Sequence, residues 1–302
     1  MGAGNASRLI ISIKPRERWP DETRTSPVLT ATEEQSPWCK VPSPYWGLAL
    51  TDRGTLLGSC VVAPGTEPYT GEWQFTMLHI QLNDRLPEDA ALQCLVQWVR
   101  EASPSPDGWI TVDIPFQGRL ESAARACGFE AVDMTLRRTV KERPWNPEDV
   151  AVRRAEPQDR TSLKILSQEC LPALIPSMPN TPCERVLKRC REHWPTYAQE
   201  GGLDDPYLEF LIAEDSDHNF LGYIILDTSH PEPYINDLAV TSQARGGSVA
   251  RSLLAGALSL ESAQHAGAVR AQVASANRNC WLPALRVGFQ RLSRRWVLRF
   301  EL

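Results

Sequence analysis

The feature that most limits the fold of this 302-residue chain is that it repeats itself. Thr55-Leu56-Leu57-Gly58-Ser59-Cys60-Val61-Val62 returns as Asn219-Phe220-Leu221-Gly222-Tyr223-Ile224-Ile225-Leu226 at an offset of 164. Ala126-Cys127-Gly128-Phe129 returns as Arg286-Val287-Gly288-Phe289 at an offset of 160. Near-equal offsets point to duplication of one domain, and the length suits two units of roughly 150 residues.

The order of elements between these anchors also repeats. In the first half, Tyr45–Leu50 and Leu56–Val62 read as a hairpin, Trp73–Leu82 as a long alternating strand, Glu88–Arg100 as a helix, Trp109–Phe116 as a strand and Leu120–Cys127 as a helix ending at Gly128. In the second half the series is Tyr207–Glu214, Phe220–Asp227, Tyr234–Val240, Gly247–Ala266, Val269–Ser275 and Trp281–Val287, ending at Gly288. The alternating apolar residues of Phe289–Leu302 suit a half-buried strand or hairpin that closes the second unit. The seam falls at Lys141–Asp149, where two prolines interrupt the pattern, so the expected domains are 1–145 and 146–302. An extra segment, Leu171–Gly202, carries a helix at Glu184–Tyr197 with Trp194.

Composition narrows the class of function. With 42% hydrophobic and 23% charged residues the chain is an ordinary globular protein, and no apolar run approaches the roughly 20 residues that cross a bilayer. The net charge of −5 argues against a nucleic-acid partner. The N-terminus lacks an apolar signal core, which predicts a cytoplasmic protein. Eight scattered cysteines without a CxxC pair read as reduced, buried thiols, and no structural metal is expected. His79 lies within an alternating strand and reads as packed or surface.

One stretch is not repeated. Gly246-Gly247-Ser248 stands directly after a strand and directly before a helix, which turns several backbone N–H groups toward one point at the positive end of a helix dipole. Arg245 and Arg251 add charge, and the glycines allow an anion to approach the main chain. The alternative is a plain turn capped by the Ser248 side chain. Neither the GxGxxG dinucleotide loop nor the GxxxxGK triphosphate loop is present. The first half offers Asn83-Asp84-Arg85-Leu86-Pro87-Glu88-Asp89 at the corresponding place, with no glycine, a proline without an N–H and two carboxylates on the first helical turn. Those carboxylates would repel a pyrophosphate.

Arg245-Gly246-Gly247-Ser248-Val249-Ala250, following Asn236-Asp237-Leu238-Ala239-Val240, resembles the Arg/Gln-x-x-Gly-x-Gly/Ala signature of the GNAT superfamily of acyl-coenzyme A-dependent N-acyltransferases, with Ser248 in place of the usual glycine. Asn277 and Gly288-Phe289 stand at the spacing at which that superfamily places an asparagine before a Gly-Phe turn. The resemblance implies an α+β fold of two tandem GNAT-like domains, each with a mixed, mostly antiparallel central sheet flanked by helices. It also implies that Leu238, Ala239 and Val240 hold the pantetheine arm, that Arg245, Gly246, Gly247, Ser248, Val249, Ala250 and Arg251 hold the pyrophosphate, and that Asn277 contributes to the donor site. The first half would be a degenerate scaffold without a donor loop.

Acyl transfer to an amine requires a base, because an amine of pKa near 10.4 is mostly protonated at neutral pH. Asp237, on the strand beside the expected thioester, is the first candidate, against a structural or solvated role; Glu209 is the second. The superfamily's tyrosine acid, four residues before the glycine of the Gly-Phe turn, is replaced by Ala284. Ser275, Asn279, Cys280 or a bound water are substitutes among which the sequence does not choose, and Cys280 as a covalent nucleophile is disfavoured for want of a nearby histidine.

The expected donor is acyl-CoA or the phosphopantetheine thioester of an acyl carrier protein, toward which Arg270, Arg294 and Arg295 would face. The expected acceptor is an amine on a small molecule, such as a natural-product intermediate. A non-catalytic, CoA-binding or interaction module is the rival reading, favoured by Ala284 and Ser248.

Overall fold

The computed structural model describes residues 10–14, 46–52, 55–66, 72–84, 86–140, 150–170 and 202–301. The expected seam at Lys141–Asp149 and the expected helix at Glu184–Tyr197 lie outside them. The chain divides into two compact units, Met1–Ala131 with Arg295–Leu302, and Val132–Arg294.

The first unit contains β1 (Ile10–Lys14), β2 (Trp46–Asp52), β3 (Thr55–Thr66), β4 (Trp73–Leu82), helix α1 (Glu88–Ala102), β5 (Asp107–Pro115) and helix α2 (Leu120–Ala126). Its strands run in the order β1-β2-β3-β4-β5, followed by β12 (Gln290–Glu301). The β1–β2, β2–β3 and β3–β4 pairs are antiparallel, and β4–β5 is parallel. Helix α1 buries Ala91, Leu92, Leu95, Val96 and Val99, spaced three and four apart on one helical face. They join Phe75, Met77, Ile110, Trp296 and Phe300 in one core.

The second unit begins within β6 (Glu130–Thr139) and continues through β7 (Ala151–Arg154), helix α3 (Arg160–Cys170), β8 (Leu208–Glu214), β9 (Phe220–Asp227) and β10 (Tyr234–Val240). Helices α4 (Val249–Ser259) and α5 (Glu261–Ala266), strand β11 (Ala268–Ala274) and helix α6 (Arg278–Arg286) follow. The strand order is β6-β11-β10-β9-β8-β7, with β10–β11 parallel and β11–β6, β9–β10, β8–β9 and β7–β8 antiparallel. One sheet face carries Leu211, Ala213, Ile224 and Leu226 against α4. The other carries Phe210, Ile212, Tyr223 and Ile225 against Leu163 and Leu166 of α3. Each unit is therefore α+β with a mixed, mostly antiparallel sheet.

The repeat is visible at the level of single hydrogen bonds. At both Gly-Phe turns a left-handed glycine, Gly128 at φ +85° and Gly288 at φ +89°, ends a helix. Phe129 N–H bonds Ala124 C=O and Gly128 N–H bonds Arg125 C=O; Phe289 N–H bonds Ala284 C=O and Gly288 N–H bonds Leu285 C=O. This is the Schellman arrangement, in which the final carbonyls of the helix are satisfied by the chain that leaves it. Gly58 and Gly222 are likewise equivalent. A Cβ on Gly222 would lie 2.5 Å from the Ala239 carbonyl oxygen, and one on Gly58 would lie 2.8 Å from that of Gln81.

Two expectations change. The final strand, expected to close the second half, ends in the first unit: Arg295–Leu302 belong there, and Trp296 and Phe300 are 2% and 1% exposed in its core. Conversely the strand after the first Gly-Phe turn supplies the second unit, pairing with β11 from Asp133↔Ala274 to Thr139↔Ala268. Alternation identifies a strand and its buried face but not its partner, which is why the sequence does not reveal this exchange. The helix expected over Gly247–Ala266 is two helices, broken where Leu260 turns extended at ψ 146°. The Gln264 side chain donates to the Leu258 carbonyl there, at 2.7 Å.

Candidate active site

The site is built where β10 leaves the sheet. Its parallel pairing with β11 covers only Tyr234↔Arg270 and Ile235↔Ala271, and beyond Ile235 the two strands have no paired residues. Thr241 N–H bonds Leu221 C=O in β9, at 2.9 Å. The alternation of a strand then turns the Leu238 and Val240 peptide groups to the opposite side, toward the gap. Of these, Val240 C=O accepts Arg245 Nε at 3.2 Å, and Leu238 N–H bonds the Asp237 carboxylate.

The turn that follows carries Gly246 at φ +83°, a conformation that favours glycine, with no atom within 4 Å of where its Cβ would stand. Ser248 precedes α4, but its side chain makes no capping bond. Its carbonyl instead accepts the first N–H of the helical ladder, from Ser252, at 2.9 Å. Among the described residues, no acceptor is bonded to the N–H groups of Gly246, Gly247, Ser248, Val249 or Ala250. Donors at a helix N-terminus with no internal partner are the physical requirement for an anion cradle. The Val249 side chain is core, 4% exposed, so only its main chain faces the turn's surroundings. Arg251 lies on the first turn of α4, and Asn277 immediately precedes α6, where its carbonyl accepts the Cys280 and Trp281 N–H groups.

Asp237 is aimed by an irregularity in β10. The register against β9 slips between Ile235↔Leu226 and Asp237↔Ile225, leaving Asn236 as a β-bulge. Without the bulge, Asp237 would share the face of Ile235, which packs in the α4 core. With it, Asp237 shares the face of Ala239 and Tyr223, on the α3 side. There the Tyr223 hydroxyl donates to Asp237 Oδ2 at 2.5 Å. Enclosure on most sides pushes the Asp237 carboxyl up to about 6, against the pull of the Tyr223 and Leu238 donors that favour its charged form. Two thiols look onto it. Burial and the Asp237 charge raise Cys280 to about 11; burial and the same charge raise Cys170, although Arg245 opposes the change through a hydrogen bond and its charge.

Of the sequence candidates, the structure gathers Asp237, Cys280 and Arg245 in one place. Glu209 is elsewhere, on the α4 face, its carboxylate bonded to Arg154 at 3.1 Å and to Ser262 Oγ at 2.7 Å in a concavity of about 490 Å³ that also includes His230 and His265. Ala284 is 4% exposed in the core beneath α6. Asn279 is exposed, and the buried Ser275 Oγ has no hydrogen-bond partner among the described residues. Arg270 is ion-paired with Glu232 and Arg295 with Asp113. Tyr223, Cys170 and Ser167 are participants that the sequence reading missed. A lone tyrosine within the apolar run Gly222–Leu226 was the available signal, because a buried phenol needs a partner for its hydroxyl.

The turn of the first unit is built otherwise. Asn83 N–H bonds Leu57 C=O and Leu86 N–H bonds Asn83 C=O, the equivalents of Thr241 to Leu221 and Ala244 to Thr241. Only Pro87 then separates Leu86 from α1, whereas Arg245–Ser248 separate Ala244 from α4. Glu88 and Asp89 occupy the first turn of α1, and Arg119 pairs with Asp84 at 2.7 Å and with Glu88 at 2.6 Å.

No family model and no curated protein matches the chain. Solved structures do. A GCN5-related N-acetyltransferase from Sphaerobacter thermophilus superposes with a TM-score of 0.53 at 17% identity, covering 84% of this chain and 80% of its own. A tandem GNAT protein from the clavulanic acid biosynthesis pathway gives 0.47 at 12% identity over 96% and 98% of the two chains. A GNAT-family acetyltransferase from Colwellia psychrerythraea gives 0.48 at 12% identity over 96% and 100%. The fold of this protein is that of the GCN5-related N-acetyltransferases, in two tandem units. Among the described residues, no helix is long and apolar enough to cross a membrane.

Proposed function

We propose that the second unit transfers an acyl group from acyl-CoA, or from the phosphopantetheine thioester of a carrier protein, directly to an amine of a small molecule. The observation that carries this reading is the set of N–H groups from Gly246 to Ala250 that have no partner among the described residues, placed at the end of a strand that has parted from its parallel neighbour. The cradle suits a pyrophosphate, and the open edge of β10, through Leu238 C=O and Val240 N–H, suits the amide groups of a pantetheine arm. Ala239, Arg251 and Asn277 complete the proposed donor set.

Asp237 takes the role of base. The amine nitrogen forms its bond to the thioester carbonyl carbon, the C–S bond breaks, sulfur leaves as thiolate, and the amine proton passes to the Asp237 carboxylate. A carboxyl poised at about 6 is mostly ionised at neutral pH yet basic enough to accept that proton. Because a thiol of pKa near 8.5 leaves readily, no dedicated acid is required in place of Ala284. The first unit, 1–145 in the proposed division, is a scaffold whose helix N-terminus is already occupied by the Glu88 and Asp89 carboxylates. The internal pairing of Arg270 and Arg295 favours free CoA over an acidic carrier.

The second reading, a CoA-binding module without turnover, is favoured by one observation: Arg245 is engaged by Val240 C=O and Cys170 within the protein. Calorimetric titration of the full chain with CoA, followed by a thioester-cleavage assay over a panel of amines, separates the two. Binding with aminolysis supports transfer, binding alone across the panel supports the module, and absence of CoA binding removes both.

A further inference from the structure

Tyr223 is 1% exposed in the middle of an apolar strand, where phenylalanine would fill the same volume without a hydroxyl to satisfy. Its hydroxyl has one proton, and that proton is committed to Asp237 Oδ2. The bulge at Asn236 brings the carboxylate to this face. Behind the hydroxyl lies Ser167, 5% exposed, whose Oγ faces Tyr223.

We propose that Tyr223 is a positioning residue for Asp237: the phenolic proton held on Oδ2 orients the carboxylate and keeps its negative charge available to accept a proton from an incoming amine. The amine rests on the acyltransferase reading; the hydrogen bond rests on geometry alone. The groups around Asp237 make the effect readable. From β9 comes Tyr223, from α3 come Cys170 and Ser167 with Glu169 nearby, from α6 comes Cys280, and from the turn after β10 comes Arg245, which acts on Cys170. The tyrosine and both thiols are raised above their ordinary values by burial, so of Asp237, Tyr223, Cys170 and Cys280 it is Asp237 that changes charge between pH 5 and 8.

The test is a carboxyl ¹³C NMR titration of the full chain labelled at aspartate, with the Asp237 signal assigned by its loss in Asp237→Asn. The unaltered protein is expected to titrate with a midpoint of about 6. Tyr223→Phe removes a donor to the charged form and moves the midpoint up by about one pH unit, a tenfold change in the ionisation constant. Replacing tyrosine with 3-fluorotyrosine makes the donor more acidic, keeps the fold, and moves the midpoint down. An unchanged midpoint in the fluorotyrosine protein overturns the proposal even where Tyr223→Phe fails to fold. These readings need neither donor nor acceptor. Shifted midpoints without aminolysis support the positioning role and sink the transferase reading, and aminolysis with unmoved midpoints does the reverse.

Discussion

The turn after β4 and the turn after β10 start alike and end differently. Both begin with the same two hydrogen bonds, Asn83 to Leu57 and Leu86 to Asn83 in one, Thr241 to Leu221 and Ala244 to Thr241 in the other. Both follow a strand that leaves its parallel neighbour, β4 after Met77↔Val112 and β10 after Ile235↔Ala271. A gap between strands is therefore common to both units and does not by itself define a site. The difference is chemical. One turn passes through Pro87 into Glu88 and Asp89, with Glu88 paired to Arg119, and the other passes through Arg245–Ser248 with its amides unpartnered among the described residues. Three added residues, two of them glycine, separate a helix end already occupied by carboxylates from one that can take an anion.

The largest effect is expected from erasing that difference. Replacing Arg245–Ser248 with a single proline, as in the first unit, removes several charge-assisted hydrogen bonds of about 1.5–3 kcal/mol each and should weaken CoA binding by about 10³-fold or more in calorimetric titration. Retained affinity would place the donor elsewhere.

Next is Asp237→Asn, which has no counterpart in the first turn. It should lower aminolysis by about 10²-fold or more and abolish a limb in the rate profile that rises as pH passes upward through about 6. Stability should change in the opposite sense. A carboxyl whose folded value is raised contributes stability that is full below its unfolded value and lost as pH rises through about 6, so the uncharged variant should gain on the order of 1–3 kcal/mol over the parent at pH 8 and almost nothing at pH 4. Denaturant melts at the two pH values check this.

Gly58→Ala and Gly222→Ala probe what the units share. Each Cβ would press on a carbonyl oxygen across the sheet, so both substitutions should cost about 1–3 kcal/mol in urea melts, and to a similar extent. A large effect at one and none at the other would break the structural equivalence of the repeats. The smallest effect separates adjacent glycines. Gly246→Ala meets φ +83° and should cost about 1 kcal/mol, while Gly247→Ala, with 3.4 Å to the nearest oxygen, should be nearly neutral. Equal melting points for the two variants would contradict the left-handed turn.

Much of this was legible in the chain. The spans of β4, β9 and β10 agree with the strands read from the sequence, and in β4 a half-buried strand writes its period into its residues. The Gly-Phe turns were legible because left-handed helix ends select glycine. Asp237 was legible only as a carboxylate on a strand beside a glycine turn. Its aim was not, because alternation without the Asn236 bulge assigns it to the face of Ile235. Glu209, the second candidate in sequence, lies on the other face of the sheet, among Arg154 and Ser262.

The amino-acid order alone determined the duplication, the element series and the single glycine turn, since each depends on residues close together in the chain. Tertiary structure decided which strand completes which sheet, which face receives Asp237, and that Tyr223, Ser167 and two thiols surround it. Those outcomes depend on pairing partners and burial, and neither is encoded at any one position.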